Sequence, residues 1–232
     1  MKRLNLFLMI LFLAQPSYAF IVPPDYALKQ WTSQIESIQS LHIKAVRKAD
    51  SRGLFENEAK VQEEIWIKRP NLYKRVETSS TGTQQWIIAK DRPYRLDAQG
   101  KAQMAGIDQV IDVASLFFLA KQPSRIQSMA KQMGIDSSLK KLLDHPSGKE
   151  ILYGSNESES GFSFLVTEGK GQYFPIRLIQ GKRTYVFSYV PTSVYPNEIK
   201  IYDRSTLKEI IVVEDVTINP VISDQMFLVK GN

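Results

Sequence analysis

Apolar positions recur along this chain at two different periods. Leu28, Trp31, Ile35, Ile38 and Leu41 stand three and four residues apart and predict an amphipathic helix over 26–40, with Asp25 as its N-cap. From His42 the period falls to two. Residues 42–50 and 58–69 read as strands, and in the second Val61, Glu63, Ile65 and Ile67 alternate with Gln62, Glu64, Trp66 and Lys68. Gly53 is placed in the loop between them. Further strands are predicted over 72–78, 85–89 and 94–97, separated by the turn Ser79-Ser80-Thr81-Gly82 and by breaks at Asp91-Arg92-Pro93 and Gln99-Gly100.

The helical period returns in the middle of the chain. Ile107, Val110, Ile111, Ala114, Phe117 and Phe118 lie on one stripe, widened by Leu116 and Leu119. Ser124 with Gln127 forms a capping box ahead of Ile126, Met129, Ala130 and Met133, and Gly134 ends that helix. A third short helix is expected from Ser137 through Leu139, Leu142 and Leu143 to Asp144-His145-Pro146. Strands then resume over 150–153, 161–167, 173–179, 184–190, 198–202 and 209–218, with Gly154 to Ser160 as a solvated loop. The order is that of an α+β fold built on an antiparallel sheet. Three helices rich in Phe, Leu and Met interrupt it, and methionine suits a surface that packs in more than one way.

One stretch breaks the pattern differently. In Trp66-Ile67-Lys68-Arg69-Pro70-Asn71-Leu72-Tyr73 a proline that cannot donate a backbone hydrogen bond interrupts the ladder beside a long cationic side chain. That arginine is free to reach another element.

Residues 1–19 carry Lys2 and Arg3, an apolar run from Leu4 to Ala14, and Pro16 and small residues before Ala19. This is the pattern of a secretory signal peptide, cleaved after Ala19 and leaving 20–232 as a single domain. Removing the two basic residues takes the formal net charge from +6 to about +4. So mild an excess in an exported protein does not imply nucleic acid. With 232 residues, 43% of them hydrophobic, the chain can bury a full core. It has no cysteine, hence no disulfide and no acylated N-terminal cysteine to anchor it to a membrane.

Catalytic chemistry is not visible. Neither His42 nor His145 has a partner at a metal-ligand spacing, and there is no phosphate loop and no nucleophile elbow. Ser137-Ser138-Leu139-Lys140 matches a serine-x-x-lysine pattern without its companion elements, so its serines are read as helix caps. Adjacent carboxylates such as Glu63-Glu64 point to opposite faces of a strand. The expectation is a binder with no cofactor, no metal and no catalytic residues.

From Trp66 to Tyr73 the chain resembles the LolA-type family of periplasmic outer-membrane lipoprotein carriers, and the resemblance extends through residues 25–97. It is weaker at Tyr195-Pro196-Asn197-Glu198-Ile199 and from Asn219-Pro220 to Phe227. It implies an antiparallel half-open β-barrel with a lid of short α-helices enclosing a hydrophobic cavity, with 107–143 supplying much of the lid. It also implies that Arg69 latches the lid and that Tyr73 belongs to a surface docking the inner-membrane release complex. Ile65, Trp66, Ile67, Trp86, Ile88 and Phe164, with Phe117, Phe118, Met129 and Met133 from the lid, become the lipid-binding set. The implied partners are acylated lipoproteins or a related lipid, the inner-membrane release complex and an outer-membrane acceptor, served by a periplasmic monomer. The same half-barrel also serves RseB-like sensors, in which lipid occupancy regulates a membrane partner. Tyr73 departs from the commoner phenylalanine, and Asp91-Arg92 from the usual aspartate-glycine turn.

Overall fold

The computed structural model describes residues 22–49, 60–89, 91–97, 99–135, 140–155, 160–167, 171–191 and 193–229. The leader over 1–19, the loop at Gly53 and the serines at 137 and 138 lie outside these residues, as does most of the loop expected over 154–160. Helix α1 (Pro24–Gln34) opens the described chain. Six strands follow: β1 (Ser40–Ala49), β2 (Lys60–Lys68), β3 (Leu72–Ser79), β4 (Gly82–Ala89), β5 (Arg92–Leu96) and β6 (Ala102–Met104). Next come α2 (Ile107–Val110), α3 (Leu116–Leu119) and α4 (Pro123–Gln132). The chain returns through β7 (Lys140–His145), β8 (Gly148–Ser155), β9 (Ser160–Thr167), β10 (Tyr173–Gln180), β11 (Arg183–Ser188), β12 (Glu198–Asp203) and β13 (Thr206–Ile218), and a 3-10 turn, Asp224–Phe227, follows.

All thirteen strands form one antiparallel sheet in the order β6-β5-β4-β3-β2-β1-β13-β12-β11-β10-β9-β8-β7. The chain therefore walks outward to one edge at β6, crosses to the opposite edge at β7, and walks back until β13 pairs with β1. The crossing is the lid. α2, α3 and α4 span the open side of an unclosed barrel and tie its two edges together.

Alternation assigns the faces. Leu41, Ile43 and Ala45 of β1 stand opposite Ile67, Ile65 and Glu63 of β2, which stand opposite Tyr73, Arg75 and Glu77 of β3. These residues point into the concave side, where one hydrophobic core joins the sheet, α1 and the lid. On the convex side Ile87, Ile222 and Phe227 form a second, smaller core that receives Trp66 and Leu72.

Several local expectations change. Pro23 is the N-cap of α1 and Pro24 its first residue, so Asp25 sits in the first turn, where its charge complements the helix dipole. The helix stops at Gln34, and Ile35 and Ile38 stay buried in the turns that follow. The single stripe expected from Ile107 to Phe118 is broken into two four-residue turns. The Asp112 carboxylate accepts hydrogen bonds from the amides of Ala114 and Ser115 at 3.0 and 3.1 Å, and this local competition unseats the helix ladder. α4 begins at Pro123 after Gln122, so the capping box of Ser124 and Gln127 does not form. Its end is as expected: Gly134 adopts φ 76°, and the amides of Gly134 and Ile135 return to the carbonyls of Lys131 and Ala130.

The third lid helix is a correction. Residues 140–145 are an edge strand, with Leu142 opposite Ile151 and His145 opposite Gly148, so the lid does not extend to 143. The turn at Pro146 makes a hairpin where a helix stop was expected.

Candidate functional site

Arg69 occupies the turn between β2 and β3, where the Arg69–Pro70 peptide is cis and Asn71 takes a left-handed φ of 69°. Asparagine tolerates that conformation better than most residues. From this turn the guanidinium reaches inward. Its Nη1 donates to the carbonyls of Ile35 at 2.8 Å and Ile38 at 3.0 Å, and its Nη2 donates to the carbonyl of Ala120 at 3.1 Å. The first two acceptors close the C-terminal end of α1, and the third follows α3. Helix ends leave carbonyls without partners, and one buried side chain satisfies them on both elements. The end of α3 is held twice more, by the Trp31 indole N–H donating to the Phe117 carbonyl at 2.9 Å and by the Asn71 amide facing the Leu119 carbonyl at 3.5 Å. Burial lowers the Arg69 pKa, with Glu36 working against the shift, and the guanidinium stays charged at neutral pH.

A second fastening, absent from the sequence reading, lies at the other end of α3. Asp112 is a buried carboxylate in the lid. It accepts from the Tyr73 hydroxyl at 3.1 Å and the Tyr195 hydroxyl at 3.2 Å, while its own amide donates to the Tyr73 oxygen at 2.9 Å. Arg75 adds a bond to the carbonyl of Gln109 at 3.3 Å while its guanidinium lies 4.3 Å from the Trp86 ring centroid. Burial, with the Asp112 charge adding to it, drives both tyrosine pKa values well up, so the hydroxyls remain donors. The sequence signal was thin: one aspartate inside an apolar run and a tyrosine ahead of a proline.

Between these fastenings the lid fills the concave interior. Phe117 and Phe118 are each 1% exposed. Phe117 meets Phe162, Phe164 and Phe187 edge-on at 5.8 to 6.3 Å, and Phe118 meets Trp31 at 5.2 Å and Tyr195 at 5.0 Å. Met129 and Met133 join the same core, as do Ile65, Ile67, Trp86, Ile88 and Phe164 from the sheet. All of these residues belong to one buried cluster.

Two other residues depart from expectation. Trp66 faces the convex side, stacked on His42 at 5.1 Å with the Lys74 ammonium 5.9 Å from its ring centroid, because it alternates with Ile65 and Ile67 and cannot share their face. Tyr73 has no exposed surface, so it offers nothing to a docking partner; it lines the interior and helps to hold the lid.

A charged cluster closes one end of the concave face. Arg47 pairs with Glu63, with Glu77 at 3.3 Å and with Glu209 at 3.7 Å. Burial raises Glu63 to about 7 against the pull of Arg47 and Arg75. Burial works against the Arg47 charge too, but Glu63, Glu77, Glu209 and Asp112 together hold its pKa above the ordinary value. Among the described residues no group of three or more His, Cys, Asp or Glu is placed to hold a metal ion, and no helix is long and apolar enough to cross a membrane.

No family model and no curated protein matches this sequence. Solved structures do match the fold. A LolA superfamily protein from Nitrosomonas europaea aligns over 89% of this chain and 98% of its own with a TM-score of 0.57 at 12% identity. A DUF1329 family protein from Desulfovibrio piger aligns over 89% and 98% with a TM-score of 0.55 at 11% identity. A domain from Vibrio parahaemolyticus named for outer-membrane lipoprotein sorting aligns over 88% and 97% with a TM-score of 0.53 at 6% identity. The protein thus has a LolA-like fold, an open antiparallel β-barrel closed by a helical lid. At these identities the likeness is one of fold.

Proposed function

We propose that this protein is a periplasmic carrier that takes up the acyl chains of lipoproteins, or of a related lipid, beneath its lid and ferries them from the inner to the outer membrane. The observation that carries the reading is Arg69, which joins the β2–β3 turn to both α1 and the lid through backbone carbonyls while lid aromatics occupy the hydrophobic interior. The fold shared with a lipoprotein-sorting domain and the secretory leader expected over 1–19 support it.

Reversibility is the physical problem of such a carrier. Each buried methylene contributes about 0.8 kcal/mol, so several acyl chains bound to an empty cavity would not leave. A closed state in which Phe117, Phe118, Met129 and Met133 already bury their own surface competes with cargo and lowers the net gain. Arg69 biases that state through charge-assisted bonds of about 1.5–3 kcal/mol each. Bond making has no part in this scheme, and the carrier acts with an inner-membrane release complex and an outer-membrane acceptor as partners.

The test is uptake of a diacyl lipopeptide followed by transfer to acceptor vesicles. Wild type loads and hands over its cargo, and Arg69→Leu is impaired in one step or the other. A variant that loads and releases like wild type would remove the latch role. Cargo retained in the presence of acceptor would instead favour the sensor reading of the same fold.

A further inference from the structure

The sheet parts along one seam, between β10 and β11. β10 and β11 pair only from Arg177 opposite Val186 to Gln180 opposite Arg183. Beyond that point the strands part: Tyr173 to Pro175 pair with β9 alone, and Phe187 and Ser188 pair with β12 alone. On its other side β10 keeps pairing with β9 past this point, with a register shift between Pro175 and Arg177. The parting leaves a cleft of about 610 Å³ walled by Leu165, Phe174, Ile176, Phe187, Tyr189 and Val190.

We propose that this seam between β10 and β11 is a binding site for one acyl chain of the lipidated cargo, entered through the wall of the sheet. The inference rests on the carrier reading and adds a place and a route to it. Three observations point to an acyl chain. Aliphatic and aromatic side chains make up most of the walls, with Ser147, Thr167, Gln172 and Ser188 and the charge-capable His145 and Arg177 among the lining residues, and the volume lies within the roughly 300–1,000 Å³ that buries a small ligand. The cleft backs onto the closed interior, since Phe187 in its wall meets the lid's Phe117 at 6.3 Å and Phe174 meets Trp31 of α1 at 6.2 Å. The seam is also held by weak and separable contacts: the Tyr189 hydroxyl donates to the Pro175 carbonyl at 2.8 Å, and the Tyr189 and Phe174 rings stand 5.4 Å apart. A chain sliding between the two rings touches the residues that touch the lid. Its polypeptide part stays in solvent.

A diacyl lipopeptide with a diazirine at the end of one acyl chain, irradiated with the purified protein, maps the site by mass spectrometry. Adducts are expected among residues 173–191. Val190 is exposed, and Val190→Trp, which narrows the opening without touching the core, should cut the adduct yield there about tenfold. Adducts confined to 107–133, with a yield indifferent to Val190→Trp, would overturn the seam and leave the carrier reading standing. Failure of the wild type to take up lipopeptide at all would remove both.

Discussion

Arg69 and Glu63 are both ionisable groups taken out of water, and they differ in how their charge is met. Arg69 donates to three carbonyls that two elements would otherwise leave bare, so its charge is spent on holding those elements together. Glu63 is 3% exposed and reads more costly, because burial lifts its pKa from 4.5 to about 7 even with Arg47 beside it. A folded-state value above the unfolded one means that the native protein holds the proton more tightly. The contribution to stability is complete below pH 4.5 and is lost as pH rises through 7. Glu63→Gln should therefore gain on wild type, by up to about 3 kcal/mol, between pH 5 and pH 8, with Arg47 keeping Glu77 and Glu209 as partners. Urea unfolding at both pH values measures it. Parallel pH slopes for the two proteins would show that Glu63 does not titrate in this range.

At the scale of elements the lid is a linker made to serve as a cover. It connects β6 to β7 across the open side, and its middle turn, α3, is fixed at one end by Arg69 and Trp31 and at the other by Asp112 with Tyr73 and Tyr195. Asp112→Ala should raise amide exchange over 107–119 at least about tenfold while β1 to β3 stay protected, since one carboxylate there serves two tyrosines and two amides. Exchange that rises equally in lid and sheet would mean that the lid does not open as a unit. The sequence showed α1, α4 and the strands other than β6 and β7 because their periods are local properties. It did not show that 140–145 is a strand: Leu139, Leu142 and Leu143 fit a helical turn, and only pairing with β8 decides otherwise. The family resemblance placed Trp66 in one set with Ile65 and Ile67, although the alternation read from the sequence had already put it on the opposite face. The covering 3-10 turn that makes a convex core possible comes from Asp224–Phe227, far along the chain. Asp112 was invisible as a fastening, since its two tyrosine partners lie 39 and 83 residues away.

The whole molecule is an unclosed barrel whose interior is already full. That arrangement distinguishes a carrier from a static hydrophobic core only if the lid gives way to cargo, and the two buried fastenings and the lateral seam describe where it would give way. The Arg69 motif was legible because eight consecutive residues carry it. The seam was not, because it arises from the point where two strand pairings end. The central claim is reversible burial of acyl chains, and native mass spectrometry of the protein isolated from its own cells tests it most directly. The account predicts intact acylated lipid or lipoprotein bound in near-equimolar amount and released to acceptor membranes. Protein that comes out bare, or that carries only cleaved lipid products, would contradict it.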